Sequence, residues 1–126
     1  MLKPQEFVCP CAIRLNDRSY GALTGRTREE VEMDYGRDML DRWTGVLKEC
    51  PPPLTPEDPR WPGRDRRYSD MVGRSIPVGE SLQDCIDRIR PAWEDKILTE
   101  LEAGHNVMVV SHRNALRGLM RLIDGM

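Results

Sequence analysis

The stretch Val107–Gly118, VMVVSHRNALRG, decides how this chain is read. Four successive apolar residues, Val107 to Val110, suit a strand buried on both faces, the pattern of a parallel sheet covered by helices. The run ends in Ser111 and His112 and passes into a helical segment led by Asn114. In α/β sheets, ligands collect at the carboxyl ends of strands. The helix that follows turns its unpaired N–H groups and the positive end of its dipole toward the same place, which suits a phosphate or carboxylate. His112 at this junction is the first candidate for chemistry, with a satisfied polar residue at a turn as the plain alternative.

Working back from that run, Gly104 is a suitable helix stop, and Leu82, Cys85, Ile86, Ile89, Trp93, Ile97 and Leu101 mark one apolar face before it. Ser81 with Asp84 fits a capping box at the start of that helix, and Pro91 should kink it. Helix, strand and helix in this order form half of a doubly wound unit, so the expected fold is α/β with a mostly parallel sheet. Nearer the N-terminus, Thr27 with Glu30 predicts a helix from Arg28. Its apolar positions are Val31, Tyr35, Met39, Trp43 and Val46, with Gly36 splitting it into one helix or two. Residues 7–15 read as a short strand or extended loop, and 16–26 as a structured loop.

From Cys50 to Gly63 proline is too frequent for helix or sheet to persist, so a long loop is expected, as a linker or as an excursion across one domain. Arg64, Arg66 and Arg67 follow beside Tyr68, either as a solvated face or as groups that close over an anion. The 126 residues suit a single domain. The composition, 32% charged and 39% hydrophobic with a net charge of -2, is that of a soluble globular chain. It excludes a general nucleic-acid surface and offers no membrane-spanning stretch. The opening MLKPQEFVCPCAIR lacks the charged and apolar blocks of a signal peptide, so a cytoplasmic location is expected. Cys9, Cys11, Cys50 and Cys85, with His105 and His112, show no zinc spacing, so free thiols and no metal are expected.

Four segments, LNDRSYGALTG at 15–25, RDRRY at 64–68, GESLQD at 79–84 and SHRNALRG at 111–118, resemble the cofactor-dependent phosphoglycerate mutases of the histidine phosphatase superfamily. The likeness implies a three-layer α/β fold, of which this chain would be the central part. It further implies interconversion of 3- and 2-phosphoglycerate in glycolysis through a phosphohistidine, primed by 2,3-bisphosphoglycerate. By position, Asp17 stands for the family's glutamate acid/base and His112 for its second histidine. Arg18, Ser19, Tyr20, Arg28, Arg66, Arg67 and Asn114 stand at substrate contacts. Arg113 replaces a glycine, where it either crowds the site or adds a phosphate contact. Guanidinium forks suit a polyanionic sugar-acid phosphate, a protonated histidine suits developing phosphoryl charge, and a carboxylate suits the proton shuttle.

The family's nucleophile lies in an R-H-G motif that these residues do not contain, and the family's chain continues past the equivalent of Met126. The expectation is therefore one truncated domain, 1–126, with the mutase reaction impaired or lost. The alternatives are a phosphate-binding remnant without catalysis and a phosphatase of the same superfamily. A small phosphorylated three-carbon acid is the expected partner, with a homo-oligomer possible by resemblance. An unpartnered apolar strand would leave the chain weakly stable or prone to aggregate.

Overall fold

The computed structural model describes residues 12–71 and 76–125, and within them the chain is helical. Helix α1 spans Arg28–Tyr35 and α2 spans Arg37–Gly45, followed by α3 at Leu82–Ala92, α4 at Leu98–Glu102 and α5 at Arg113–Asp124. Both capping boxes form. The Thr27 and Ser81 side chains each accept from the N–H three residues on, while Glu30 and Asp84 reach back to the cap N–H. Gly36 separates α1 from α2 at φ +83°, a conformation that costs glycine little and other residues more, so the periodic stretch becomes two helices.

Pro91 sits inside α3, where its ring removes one N–H from the ladder. The chain answers with a π-helical turn at Trp93–Ile97 before α4 resumes. Gly104, at φ +84°, donates to the Leu101 carbonyl and ends the helical run as expected.

The expected parallel sheet is absent from the described residues. The described residues contain no strand. Val107 to Val110 form irregular chain, with Met108 71% and Val110 84% exposed, and only Val109 leans on the core. An apolar tetrapeptide becomes a strand only if another lies about 4.8 Å away to take its N–H and C=O groups, and no described segment does. The α/β, three-layer reading is thus corrected to a helical architecture for the described residues. The proposed strand or loop at 7–15 falls mostly outside them, and its end, Ile13–Leu15, is a 3-10 turn.

The core is helix on helix. Leu82, Cys85, Ile86, Ile89, Trp93 and Ile97 from α3 and the π turn meet Ala115, Leu119 and Leu122 of α5. Gly118 allows the close approach, since a Cβ there would stand 3.2 Å from Ile86 Cγ1 and 3.3 Å from Ile89 Cδ1. Each such fully buried aliphatic side chain contributes about 1.5–3 kcal/mol. A second cluster joins Leu23, Val31, Leu40 and Trp43, with Tyr35 meeting Trp43 edge to face at 5.2 Å.

The proline segment is long and without α-helix, as expected, and it is fastened to both of its neighbours. Ala22 N–H donates to Pro52 O at 2.7 Å and Leu54 N–H to Val78 O at 2.9 Å, while Glu80 N–H to Ser19 O at 2.8 Å joins the two neighbours directly. It is therefore an excursion across the described body and not a linker. No described helix is long and apolar enough to cross a membrane.

Candidate active site

Residues 16–20, NDRSY, form no regular element, yet several of their polar groups are held by other parts of the chain. Arg18 is 4% exposed. Its Nε donates to Glu80 O at 2.7 Å, and one Nη donates to Trp43 O at 2.8 Å and Glu49 O at 3.4 Å. The guanidinium also lies over the Tyr20 ring, 5.6 Å from its centroid. Asp17 Oδ1 accepts from the Arg18 N–H at 2.8 Å, which fixes one oxygen of the carboxylate. Ser19 N–H donates to Glu80 Oε2 at 2.8 Å.

Two bonds join this loop to the segment that leads into α5. Ser111 Oγ donates to Leu15 O at 2.5 Å, and Asn114 Nδ2 donates to the Tyr20 hydroxyl. Burial pushes the Tyr20 phenol up, and the Asp17 charge adds to this, so Tyr20 stays a neutral hydroxyl over the physiological range. His112 is the N-cap of α5, with extended backbone and no side-chain bond to the first turn. Its ring and the Arg113 side chain are exposed. The helix thus begins with N–H groups that no capping side chain occupies, flanked by a histidine and an arginine.

Asp17, Arg18, Ser19 and Tyr20 line a cavity of about 320 Å³, together with Tyr68 and Arg88 among others. Four sequence-predicted residues are thereby brought together, and Asn114 touches one of them. Arg28 stands apart on α1, bonded to Glu32 at 3.0 Å and Asp41 at 2.9 Å. Arg67 is bonded to Asp65 in a neighbouring concavity beside Tyr68 and Trp61, and Arg66 opens the 3-10 turn Arg66–Met71. Tyr68 itself reaches the loop, its hydroxyl accepting from Asn16 Nδ2 at 3.1 Å.

Glu80 and Arg88 were not singled out by sequence reasoning, although Glu80 lies in the quoted GESLQD. Both are largely buried, and their side chains pair at 2.6 Å. No local signal could have found them, because their contacts reach residues more than sixty positions away.

The charge balance limits what the cavity can hold. Among its lining arginines, Arg18 is spent on carbonyls, Arg60 on Asp58 and two carbonyls, and Arg88 on Glu80. Asp17 and Glu80 add negative charge, so as the described residues sit this is no cradle for a bisphosphate. Nor do three His, Cys, Asp or Glu side chains converge among them as a metal site requires. Among the described residues, His112 and Arg113 stand exposed at the start of α5 and do not line this cavity. Compared with known families, residues 51–126 match the model of the histidine phosphatase superfamily, branch 1, which is more than half of the chain. The match includes Glu80, Arg88 and the whole of 111–118, while Asp17 to Tyr20 and Arg28 precede it.

Proposed function

Because the chain belongs to the histidine phosphatase superfamily, branch 1, we propose that it binds a small phosphorylated three-carbon acid of the phosphoglycerate class at the N-terminal end of α5. The single observation that carries this reading is the N-terminus itself. His112 caps it without a side-chain bond, Arg113 flanks it, and Asn114 is tied to the Tyr20 hydroxyl of the loop that presents Asp17.

In this reading the first N–H groups of α5 and the Arg113 guanidinium receive phosphate oxygens. Protonated His112 supplies positive charge where charge develops on a phosphoryl group. Asp17, with one oxygen held by the Arg18 amide, is the proton shuttle between adjacent hydroxyls of the substrate. Interconversion of 3- and 2-phosphoglycerate is the reaction these roles would serve.

In the family that the four sequence segments resemble, transfer runs through a histidine in an R-H-G motif. The sequence contains only His105 and His112, and neither is in such a motif. His105 is bonded to Glu100 at 2.7 Å after α4. The 126 residues therefore support binding and proton handling but not transfer. The arginines that line the cavity, Arg18, Arg60 and Arg88, are already bonded within the chain, which does not favour a bisphosphoglycerate primer there.

Titration of 15N-labelled chain with 3-phosphoglycerate tests the reading. Amide shifts should concentrate at His112, Arg113, Asn114 and Tyr20, with no 2-phosphoglycerate formed in the 31P spectrum. Shifts confined to Arg66 and Arg67 would move the site, and turnover would refute the absence of transfer.

A further inference from the structure

We propose that Arg88 and Glu80 are positioning residues for the Asp17 loop, acting as one two-ended clamp that sets where the Asp17 carboxylate stands. The proposal deepens the site reading given above and rests on Asp17 working in that site.

Ile13 O already accepts the Asn16 N–H and Leu15 O the Ser111 hydroxyl, whereas the main-chain carbonyls of Arg14, Asn16 and Asp17 turn toward α3 without a backbone donor among the described residues. Such groups need donors. Arg88 provides them. One Nη donates to Arg14 O at 2.8 Å and Ile13 O at 3.4 Å, and the other to Asn16 O and Asp17 O, both at 3.1 Å. The same guanidinium closes a fork on Glu80, with Nε to Oε1 at 2.6 Å and Nη to Oε2 at 3.0 Å. Glu80 then grips the other end of the loop. Its Oε2 accepts the Ser19 N–H, its own N–H donates to Ser19 O at 2.8 Å, and its carbonyl accepts Arg18 Nε.

Asp17 thus lies between a carbonyl row held from one side and a peptide held from the other, and both holds meet in one buried ion pair. A planar guanidinium can serve two forks at once, whereas an ammonium is a point donor that cannot span them. The pair is also costly to bury unless its remaining donors and acceptors are used, and here the loop backbone uses them. Asp17 needs this support, because about an ångström of displacement at a catalytic group can cost on the order of a hundredfold in rate.

The test is hydrogen exchange of the full chain without ligand, so that its failure is separate from failure of the substrate reading. The Arg18 amide, bonded to the Asp17 carboxylate, and the Ser19 amide report the clamp, while Ile89 and Leu119 report the core. Arg88→Lys should lose about tenfold or more of the protection at Arg18 and Ser19 with the core amides within about twofold. The swapped pair Glu80→Arg with Arg88→Glu should not restore it, since the carbonyls would then face a carboxylate. Unchanged Arg18 and Ser19 protection in Arg88→Lys, equal loss at Ile89 and Leu119, or full rescue by the swap would each overturn the proposal. A matching titration with 3-phosphoglycerate as probe should show the Arg88→Lys chain losing the Tyr20 shift and keeping that at Arg113.

Discussion

Replacing Gly21 with alanine tests how tightly the proline segment is fastened behind the Asp17 loop. Gly21 follows Tyr20 at φ +55°, and a Cβ there would lie 2.2 Å from Pro52 O and 3.2 Å from Val78 O. The left-handed backbone alone costs an alanine about 1–2 kcal/mol. Relieving the overlap requires the Pro52 carbonyl to withdraw by about 1 Å, which a close-packed interior resists. That movement breaks the 2.7 Å bond from Ala22 N–H to Pro52 O, worth about 1 kcal/mol. The sum is about 2–3 kcal/mol. Gly25→Ala is the matched control, because Gly25 has φ +74° and nothing within 4 Å of the added Cβ. It bears only the backbone term. In urea, with a slope of about 1–3 kcal/mol/M, the extra term of about 1 kcal/mol should lower the Gly21→Ala midpoint about 0.3–1 M further than that of Gly25→Ala. Equal midpoints for the two variants would refute the claim that residues 21, 52 and 78 form one seam.

Further outcomes follow from the same contacts. Ile89→Ala, at a fully buried position against Gly118, should cost about 2–5 kcal/mol by urea unfolding, and a loss under about 1 kcal/mol would contradict the helix-on-helix core. Thr27→Ala removes one half of a capping box and should cost about 1 kcal/mol by the same assay. Asp58 is held down to about 2, chiefly by the Arg60 side chain and then by the Arg60 N–H. Its carboxylate therefore holds the Arg60 tie above the ordinary carboxylate range and releases it as pH falls through about 2, so the Arg60 amide shift should titrate near pH 2 and not near 4. Burial lifts the Cys85 thiol to about 11, so at pH 8 peptide mapping after iodoacetamide should find Cys50 modified and Cys85 spared until the chain is unfolded.

What the sequence disclosed was local. Thr27 with Glu30, Ser81 with Asp84, Gly36 and Gly104 state their caps and breaks within a few residues, and the structure follows them. The α3 face was legible for the same reason, since period 3.6 records which side is buried. Val107 to Val110 misled because an apolar run reports a wish for cover and cannot name the neighbour that supplies it. Arg18 shows a similar gap. A guanidinium aimed at phosphate and one spent on Glu80, Trp43 and Glu49 carbonyls look alike in a sequence. Glu80 and Arg88 were invisible because their role exists only once residues 13–19 have folded back over α3.

The most direct test of the central claim is a thermal melt of the chain and of His112→Ala combined with Arg113→Ala, each with and without millimolar 3-phosphoglycerate. A ligand that binds the folded state alone raises the midpoint. Binding at the N-terminus of α5 predicts an upward shift in the unaltered chain and none in the double variant. An equal shift in both, or no shift in the unaltered chain, would contradict it.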